Sequence, residues 1–112
     1  MSSEKQAGFP AAHVEQLANV VSYTPDSIVS RELRRNDAGT MTVFAFGKGQ
    51  GLSTHSAPFD AMVTVLDGRC VVVIDEVGYS LARGDFIIMP ADVPHSVQAV
   101  EDFKMLLVML KG

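Results

Sequence analysis

The sequence lacks the features that mark several common classes of protein. It has one cysteine in 112 residues, which excludes an internal disulfide and a cysteine-rich zinc site. Its longest unbroken apolar run, Met105–Leu110, has six residues, whereas a membrane-spanning helix needs ~20. Its first residues carry no basic stretch leading into an apolar one, so no secretory signal is predicted. We therefore expect a cytoplasmic protein with no membrane partner.

Positive charge is also scarce. Lys and Arg number 9 against 13 Asp and Glu, which gives a net charge of −4. Proteins that follow a phosphate backbone need a basic face, so we predict no nucleic-acid partner. The single cysteine, Cys70, is followed by a run of valines. We predict for it a buried, unreactive thiol, which suits a reducing cytoplasm.

Short β-rich runs separated by turn residues fill the chain from residue 20 onward. Their spacing of about 8–12 residues is typical of an all-β sandwich or barrel. We expect one barrel domain over residues 19–112 and a peripheral segment over residues 1–18, with one or two helical turns near its end. Asp67-Gly68, between two apolar runs, predicts a tight hairpin turn. The predicted strands are Val20–Tyr23, Ser27–Arg34, Thr40–Phe46, Ala61–Leu66, Arg69–Asp75, Tyr79–Ala82, Asp85–Met89, His95–Val100 and Phe103–Leu110.

Two of these strands, Cys70–Ile74 and Met105–Leu110, are apolar on both faces. An antiparallel sheet with one solvated face is normally polar on that face, so the additional apolar face needs a cover. A second copy of a chain this short provides that cover most simply, and we predict a homodimer. Wrapping of residues 1–18 over the sheet is the alternative.

Two segments repeat a spaced pattern of glycine, proline and histidine, and here the chain resembles the cupin superfamily. The two motifs of that family are G-x5-H-x-H-x3,4-E-x6-G and G-x5-P-x-G-x2-H-x3-N. The residues that keep these spacings are Gly49, His55 and Gly68 in the first motif and Gly84, Pro90 and His95 in the second. The resemblance covers most of the chain and implies a double-stranded β-helix, the jelly-roll barrel of RmlC-like cupins.

The resemblance also implies a metal site, but half of its ligands are replaced. Metal-binding cupins use two histidines and a glutamate from the first motif and one histidine from the second. In this sequence His55 and His95 occupy the first and last of these positions, and alanines, Ala57 and Ala61, occupy the other two. The second motif also has Asp92 for its glycine and Ala99 for its asparagine.

We therefore predict that His55 and His95 converge on one cavity and bind a metal, an anion or a small organic molecule there. As metal ligands they would hold one divalent ion, Fe, Mn, Ni, Cu or Zn; otherwise the protein has no cofactor. Asp60 adjoins the vacant glutamate position, but adjacent strand residues point to opposite faces, so only a bulge would bring it inward. Weaker candidate donors are Gln50, Gln98 and Met89. Because ligand cavities are mainly apolar with few polar groups, the residues predicted to line the pocket are Met62, Met89, Phe44, Phe46 and Gln98.

Three functions fit this sequence. The first is a binding module that holds a small molecule or a divalent metal in the barrel, with no catalytic role. The second is a metal-dependent cupin enzyme, such as a dioxygenase, isomerase or lyase, in which two histidines leave coordination positions open for substrate. The third is a metal-free enzyme like the cupins that act on sugar nucleotides. It would need a carboxylate beside a histidine base.

Overall fold

The computed structural model describes residues 8–111, which form nine strands and one short 3-10 turn, Leu17–Asn19. The strands lie in the part of the chain where β-rich runs between turn residues predict them. Their bounds are β1 Ile28–Asn36, β2 Gly39–Phe46, β3 Gly51–His55, β4 Asp60–Asp67, β5 Arg69–Ile74, β6 Val77–Ala82, β7 Phe86–Met89, β8 His95–Ala99 and β9 Phe103–Leu110.

Two antiparallel sheets face each other across the core. The first sheet has five strands in the order β1-β2-β9-β4-β7, and the second has four in the order β3-β8-β5-β6. Strands that are neighbours in space are mostly distant in sequence, as in a jelly roll. The predicted all-β class is confirmed.

The predicted hairpin at Asp67-Gly68 is wrong. Strand β4 pairs with β7 and β9, and β5 pairs with β6 and β8, so the chain passes from one sheet to the other at Gly68. Gly68 has φ +73, and a Cβ there would overlap the carbonyl oxygen of Asp102 and lie 2.8 Å from Cα of Phe103. The glycine thus marks a corner where the backbone must lie against another strand.

Other boundaries also differ from the sequence predictions. The tight hairpin lies one strand later, at Asp75-Glu76, where both residues have positive φ as a type I′ turn requires. Val20–Tyr23 is not a strand, because it packs across a sheet instead of pairing with one. Strand β3 was missed, because its many polar residues follow a glycine-rich turn.

The core lies between the two sheets and is dense at one end. Phe46 and Phe103 are fully buried there. The Phe46 ring stacks on Phe103 at 4.7 Å and on Phe44 at 5.7 Å between ring centres. The two phenylalanine pairs fill this end of the core.

The segment before β1 covers part of the outer face of the first sheet. Val21 is buried with Val43 and Ala45 of β2, and Leu106 of β9 packs against this group. The hydroxyl of Tyr23 donates a hydrogen bond of 2.6 Å to Asp67, which ties the segment to the corner at Gly68. Within residues 8–111, no helix is long and apolar enough to span a membrane.

We predict that Gly68→Ala is far more damaging than Gly84→Ala. Both glycines have positive φ, but a Cβ at Gly84 meets nothing within 4 Å. Gly84→Ala should cost about 1–2 kcal/mol of unfolding free energy from backbone strain. Gly68→Ala should cost at least about 3 kcal/mol, because strand backbone must also move. Urea unfolding measures both, and equal losses would contradict the corner argument.

Candidate functional site

A small cavity opens between the sheets at the end opposite the phenylalanine stack. Its volume is about 40 Å³, which is room for a few water molecules or one ion. Eight of its ten lining residues are apolar. The lining consists of Leu52, His55, Ala57, Ala61, Met89, His95, Val97, Met105, Leu107 and Met109.

The two histidines of the motifs meet at the mouth of this cavity. His55 ends β3 and His95 begins β8, and the two are direct cross-strand partners. Their ring centres lie 4.5 Å apart at an angle of 69°. His95 is 6% exposed, whereas His55 lies at the solvent-exposed rim. One imidazole therefore faces the interior and the other faces both cavity and solvent.

Both rings are oriented by the backbone of their own segments. Nδ1 of His55 lies 2.8 Å from the carbonyl oxygen of Ser53, and Nδ1 of His95 lies 3.1 Å from that of Val93. A carbonyl only accepts hydrogen bonds, so each Nδ1 carries the hydrogen in the neutral ring. Each Nε2 then keeps a free lone pair, which is the arrangement of metal-binding histidines.

The spacing of the rings suits one shared ion. With metal–nitrogen distances of about 2.0–2.1 Å, each ring centre lies about 3.2 Å from the metal. Ring centres 4.5 Å apart then correspond to an angle of about 90° at the metal. The distance between the ring centres is therefore compatible with two adjacent ligands on one ion.

The remaining positions of the family's ligand set do not fit it. Ala57 and Ala61 line the cavity with methyl groups. Across residues 8–111, no three His, Cys, Asp or Glu side chains form a metal-binding cluster. Asp60 is the neighbour of Ala61, which lines the cavity, so its side chain points to the opposite face of β4. There it accepts a hydrogen bond of 2.9 Å from the backbone N–H of Ala91.

Asp92 acts through its backbone. Its φ is +65, so it takes the left-handed conformation at the place where the motif has glycine, and aspartate tolerates this better than most residues. Its N–H donates a hydrogen bond of 2.7 Å to the carbonyl oxygen of Ala57. The turn that carries His95 is thus tied to the segment that follows His55. The Asp92 carboxylate does not orient either imidazole, because the Nδ1 partner of each ring is a backbone carbonyl.

Of the predicted pocket residues, the structure brings only Met89 to this cavity. Met62 lies on the opposite face of β4 from Ala61, while Phe44 and Phe46 belong to the dense end of the core. Gln98 lies on the outer face of β8, where its side chain donates to the carbonyl oxygen of Gly49. Met109 on β9 also lines the cavity and was not predicted, although it lies two and four residues from the apolar Leu107 and Met105, on the same strand face.

Burial changes the acid–base behaviour of two groups. It lowers the pKa of His95; the bond to Val93 opposes this shift and the neighbouring charge of His55 adds to it. Burial also raises the pKa of the Cys70 thiol to about 11. Cys70 is 1% exposed in the core, so its predicted burial is confirmed.

Comparison with known proteins now identifies the family. A profile described as a cupin domain matches residues 42–110, more than half of the chain. The chain belongs to the cupin family. The resemblance drawn from the two motifs is confirmed, and so is the RmlC-like jelly-roll fold. No curated protein matches this cupin.

Several solved structures have the same fold. A conserved protein of unknown function from Streptococcus pyogenes is 42% identical, with a TM-score of 0.89 over 94% of this chain and 92% of its own. A cupin superfamily protein from Desulfitobacterium hafniense has a TM-score of 0.88 at 24% identity over 94% of this chain and 96% of its own, and it shows the fold alone. A cupin 2 conserved barrel domain protein from Leptotrichia buccalis is 41% identical with a TM-score of 0.82; 84% of this chain matches 46% of that one.

We predict that His95 makes stability depend on pH below neutrality. The unfolded chain has an ordinary histidine pKa near 6.5 and the folded chain a lower one, so the unfolded state binds more protons as pH falls from 6.5. The unfolding free energy should therefore decrease, by at most about 1.4 kcal/mol per pH unit for one proton.

The test is thermal unfolding of chelator-treated protein between pH 7.5 and 5. His95→Gln should flatten this decrease, while the control His13→Gln leaves His95 in place and should keep it. A decrease of the same size in His95→Gln would contradict the assignment to His95.

Proposed function

We propose that this cupin is a binding protein that holds a single metal ion between His55 and His95 at the mouth of the barrel. The observation that carries the proposal is the paired Nδ1–carbonyl hydrogen bonds. They leave both Nε2 atoms unprotonated, on rings whose centres lie 4.5 Å apart at the mouth of one cavity. Organising a lone pair in advance removes much of the entropic cost of binding.

The size of the cavity favours an ion over an organic ligand. Pockets for small organic molecules usually measure about 300–1,000 Å³, and this cavity has about 40 Å³. An ion with one or two water molecules fits that space without repacking. The free, buried Cys70 is compatible with our expectation of a reducing, cytoplasmic location.

Metal loading tests the proposal directly. Metal-free protein titrated with Zn²⁺, Ni²⁺, Cu²⁺, Mn²⁺ or Fe²⁺ should take up one ion per chain. His55→Ala and His95→Ala should each weaken binding by at least about tenfold, since loss of a direct ligand should cost no less than loss of a second-shell partner. Calorimetry and elemental analysis measure both quantities.

Two further variants sharpen this test. His13→Ala removes a histidine far from the cavity and should change nothing. Ala57→His returns an imidazole to the half-buried cavity rim and should tighten Zn²⁺ binding by about 100-fold or more, because three protein ligands are typical of zinc. Binding of no ion by the wild type would overturn the proposal, and an unaltered affinity in His55→Ala would do the same.

A metal-dependent enzyme is the second candidate function. The observation in its favour is the exposed position of His55, because a substrate at the rim can approach an ion that only two imidazoles hold. Stoichiometric metal together with turnover of a carbonyl or dioxygen substrate would favour it. A metal-free enzyme would need a carboxylate that orients a histidine base. Asp60 instead accepts a hydrogen bond from the N–H of Ala91, and both Nδ1 atoms are hydrogen-bonded to carbonyl oxygens, so the contacts do not favour this function.

We also infer a homodimer, from the part of the outer sheet face that residues 8–27 of the described chain leave uncovered. Met41, Val108, Met62 and Ile88 are consecutive cross-strand partners on this face. Together they form an apolar stripe across β2, β9, β4 and β7, and Ile88 is 55% exposed. An uncharged stripe is complementary to itself, which suits the two-fold interface of a homodimer.

We predict that a charge on this stripe prevents dimerisation. Sedimentation equilibrium should give a dimer for the wild type and a monomer for Ile88→Lys, because pairing would bury an uncompensated ammonium group. Val77→Lys, at the exposed end of β6 on the other sheet, is the matched control and should remain a dimer. A monomeric wild type at micromolar concentration would exclude the interface.

A further inference from the structure

We propose that the ion of this site is Cu(I), held by the two Nε2 atoms and by the thioethers of Met89 and Met109. This inference rests on the proposed function, because it takes the histidine pair as a metal site and assigns the remaining ligands and the oxidation state. The proposed ligand set differs from the histidine–carboxylate set of a divalent ion, because the lining of the cavity contains no carboxylate.

The strand register places two methionines beside the vacant glutamate position. Ala61 on β4 is the cross-strand partner of Met89 on β7 and also of Met109 on β9. Direct cross-strand partners have Cβ atoms about 4.5–5.5 Å apart on the same face. Both methionines line the cavity together with the histidine pair. Ala61 has only a methyl group, so the space that a glutamate would fill there is open. The long, flexible side chains of Met89 and Met109 on either side can occupy it.

The chemistry of this donor set selects a soft ion. Thioether sulfur binds Cu(I) well, whereas carboxylate, carbonyl and water oxygens suit Mg, Ca and Mn. Imidazole serves both kinds of site and does not discriminate. Two imidazoles with two thioethers therefore match Cu(I) better than Mn²⁺, Fe²⁺ or Zn²⁺. Opening the ring spacing by less than about 1 Å brings the pair from a right angle to the wider angle of a four-coordinate ion.

The charge of the site favours a monovalent ion as well. The four proposed ligands are neutral, and the rest of the lining is apolar. The cost of placing an ion in an apolar medium grows with the square of its charge, so a divalent ion costs about four times as much as a monovalent one. Metal sites usually offset this cost with a carboxylate or thiolate. Cu(I), with its single positive charge, therefore costs less to place in this cavity than any of the divalent ions.

The third methionine of the lining is not part of the proposed ligand set. Met105 lies four residues before Met109 on β9, which is about 13 Å along the strand. It is fully buried and pairs with Phe44 and Val65, so it lines the cavity from the side of the phenylalanine stack. Met62 is the matched control, since it neighbours Ala61 in sequence but lies on the outer face of the sheet.

The experiment titrates metal-free protein with Cu(I) under anaerobic, reducing conditions, in competition with a coloured Cu(I) chelator. The wild type should bind one Cu(I) per chain, and its X-ray absorption spectrum should show sulfur and nitrogen ligands. Met89→Leu/Met109→Leu keeps apolar volume. It should lose the sulfur ligands and weaken Cu(I) binding by at least about tenfold, while its Zn²⁺ affinity stays the same. Met62→Leu should behave as the wild type.

The outcomes separate this inference from the proposed function. Cu(I) binding that is unaltered in Met89→Leu/Met109→Leu, or a wild-type spectrum without sulfur, overturns the thioether ligands and leaves a histidine metal site. An equal loss of Cu(I) and Zn²⁺ affinity in this double variant also overturns the inference, because it shows a general disturbance of the cavity. Failure of the wild type to bind Cu(I) or Zn²⁺ overturns the proposed function itself.

Discussion

The passage of the chain from one sheet to the other at Gly68 is the constraint on which the architecture depends. At this corner the backbone lies against Asp102 and Phe103 at the start of β9, with no room for a Cβ. The chain changes sheets here. As a result, β4 of the first sheet brings Ala61 to one wall of the cavity, and β8 of the second sheet brings His95 to the other. The hydrogen bond from Tyr23 to Asp67 attaches the N-terminal segment to the same corner. Core, cavity and outer cover therefore meet at one tight turn.

The motif residues that this chain keeps are mostly those with a backbone task. Gly49, Gly68 and Gly84 all have positive φ, and Asp92 takes that conformation at the position of the missing glycine. These residues fix the path of the chain around the barrel. The replaced positions, Ala57 and Ala61, face the cavity instead, where a substitution alters chemistry and leaves the fold intact. The chain thus keeps the backbone positions of the two motifs and differs from the motifs in side chains that face the cavity.

The sequence predicts the fold better than the details of the site. Short β-rich runs between turn residues locate eight of the nine strands, because strands that bury a face need apolar and β-branched side chains. Strand β3 escapes this logic, since its exposed Ser53 and Thr54 carry no apolar signal. Asp67-Gly68 has the composition of a hairpin, but local composition does not distinguish a hairpin from a corner between sheets, which depends on the distant Asp102. Motif spacing brings out His55 and His95, whereas Met109 becomes a candidate ligand only when the register with Ala61 is known.

The anchoring of each imidazole to a carbonyl two residues earlier in its own segment has an evolutionary consequence. In many metal sites a remote carboxylate orients the histidine, so that two positions must be retained together. Here each histidine brings its own support with the local chain, and a change elsewhere in the barrel does not release it. The remaining walls are then free to vary in small steps, each of which gives a folded protein with two oriented nitrogen donors. Such a pocket is evolvable, because single substitutions can change the chemistry of its walls around a constant histidine pair.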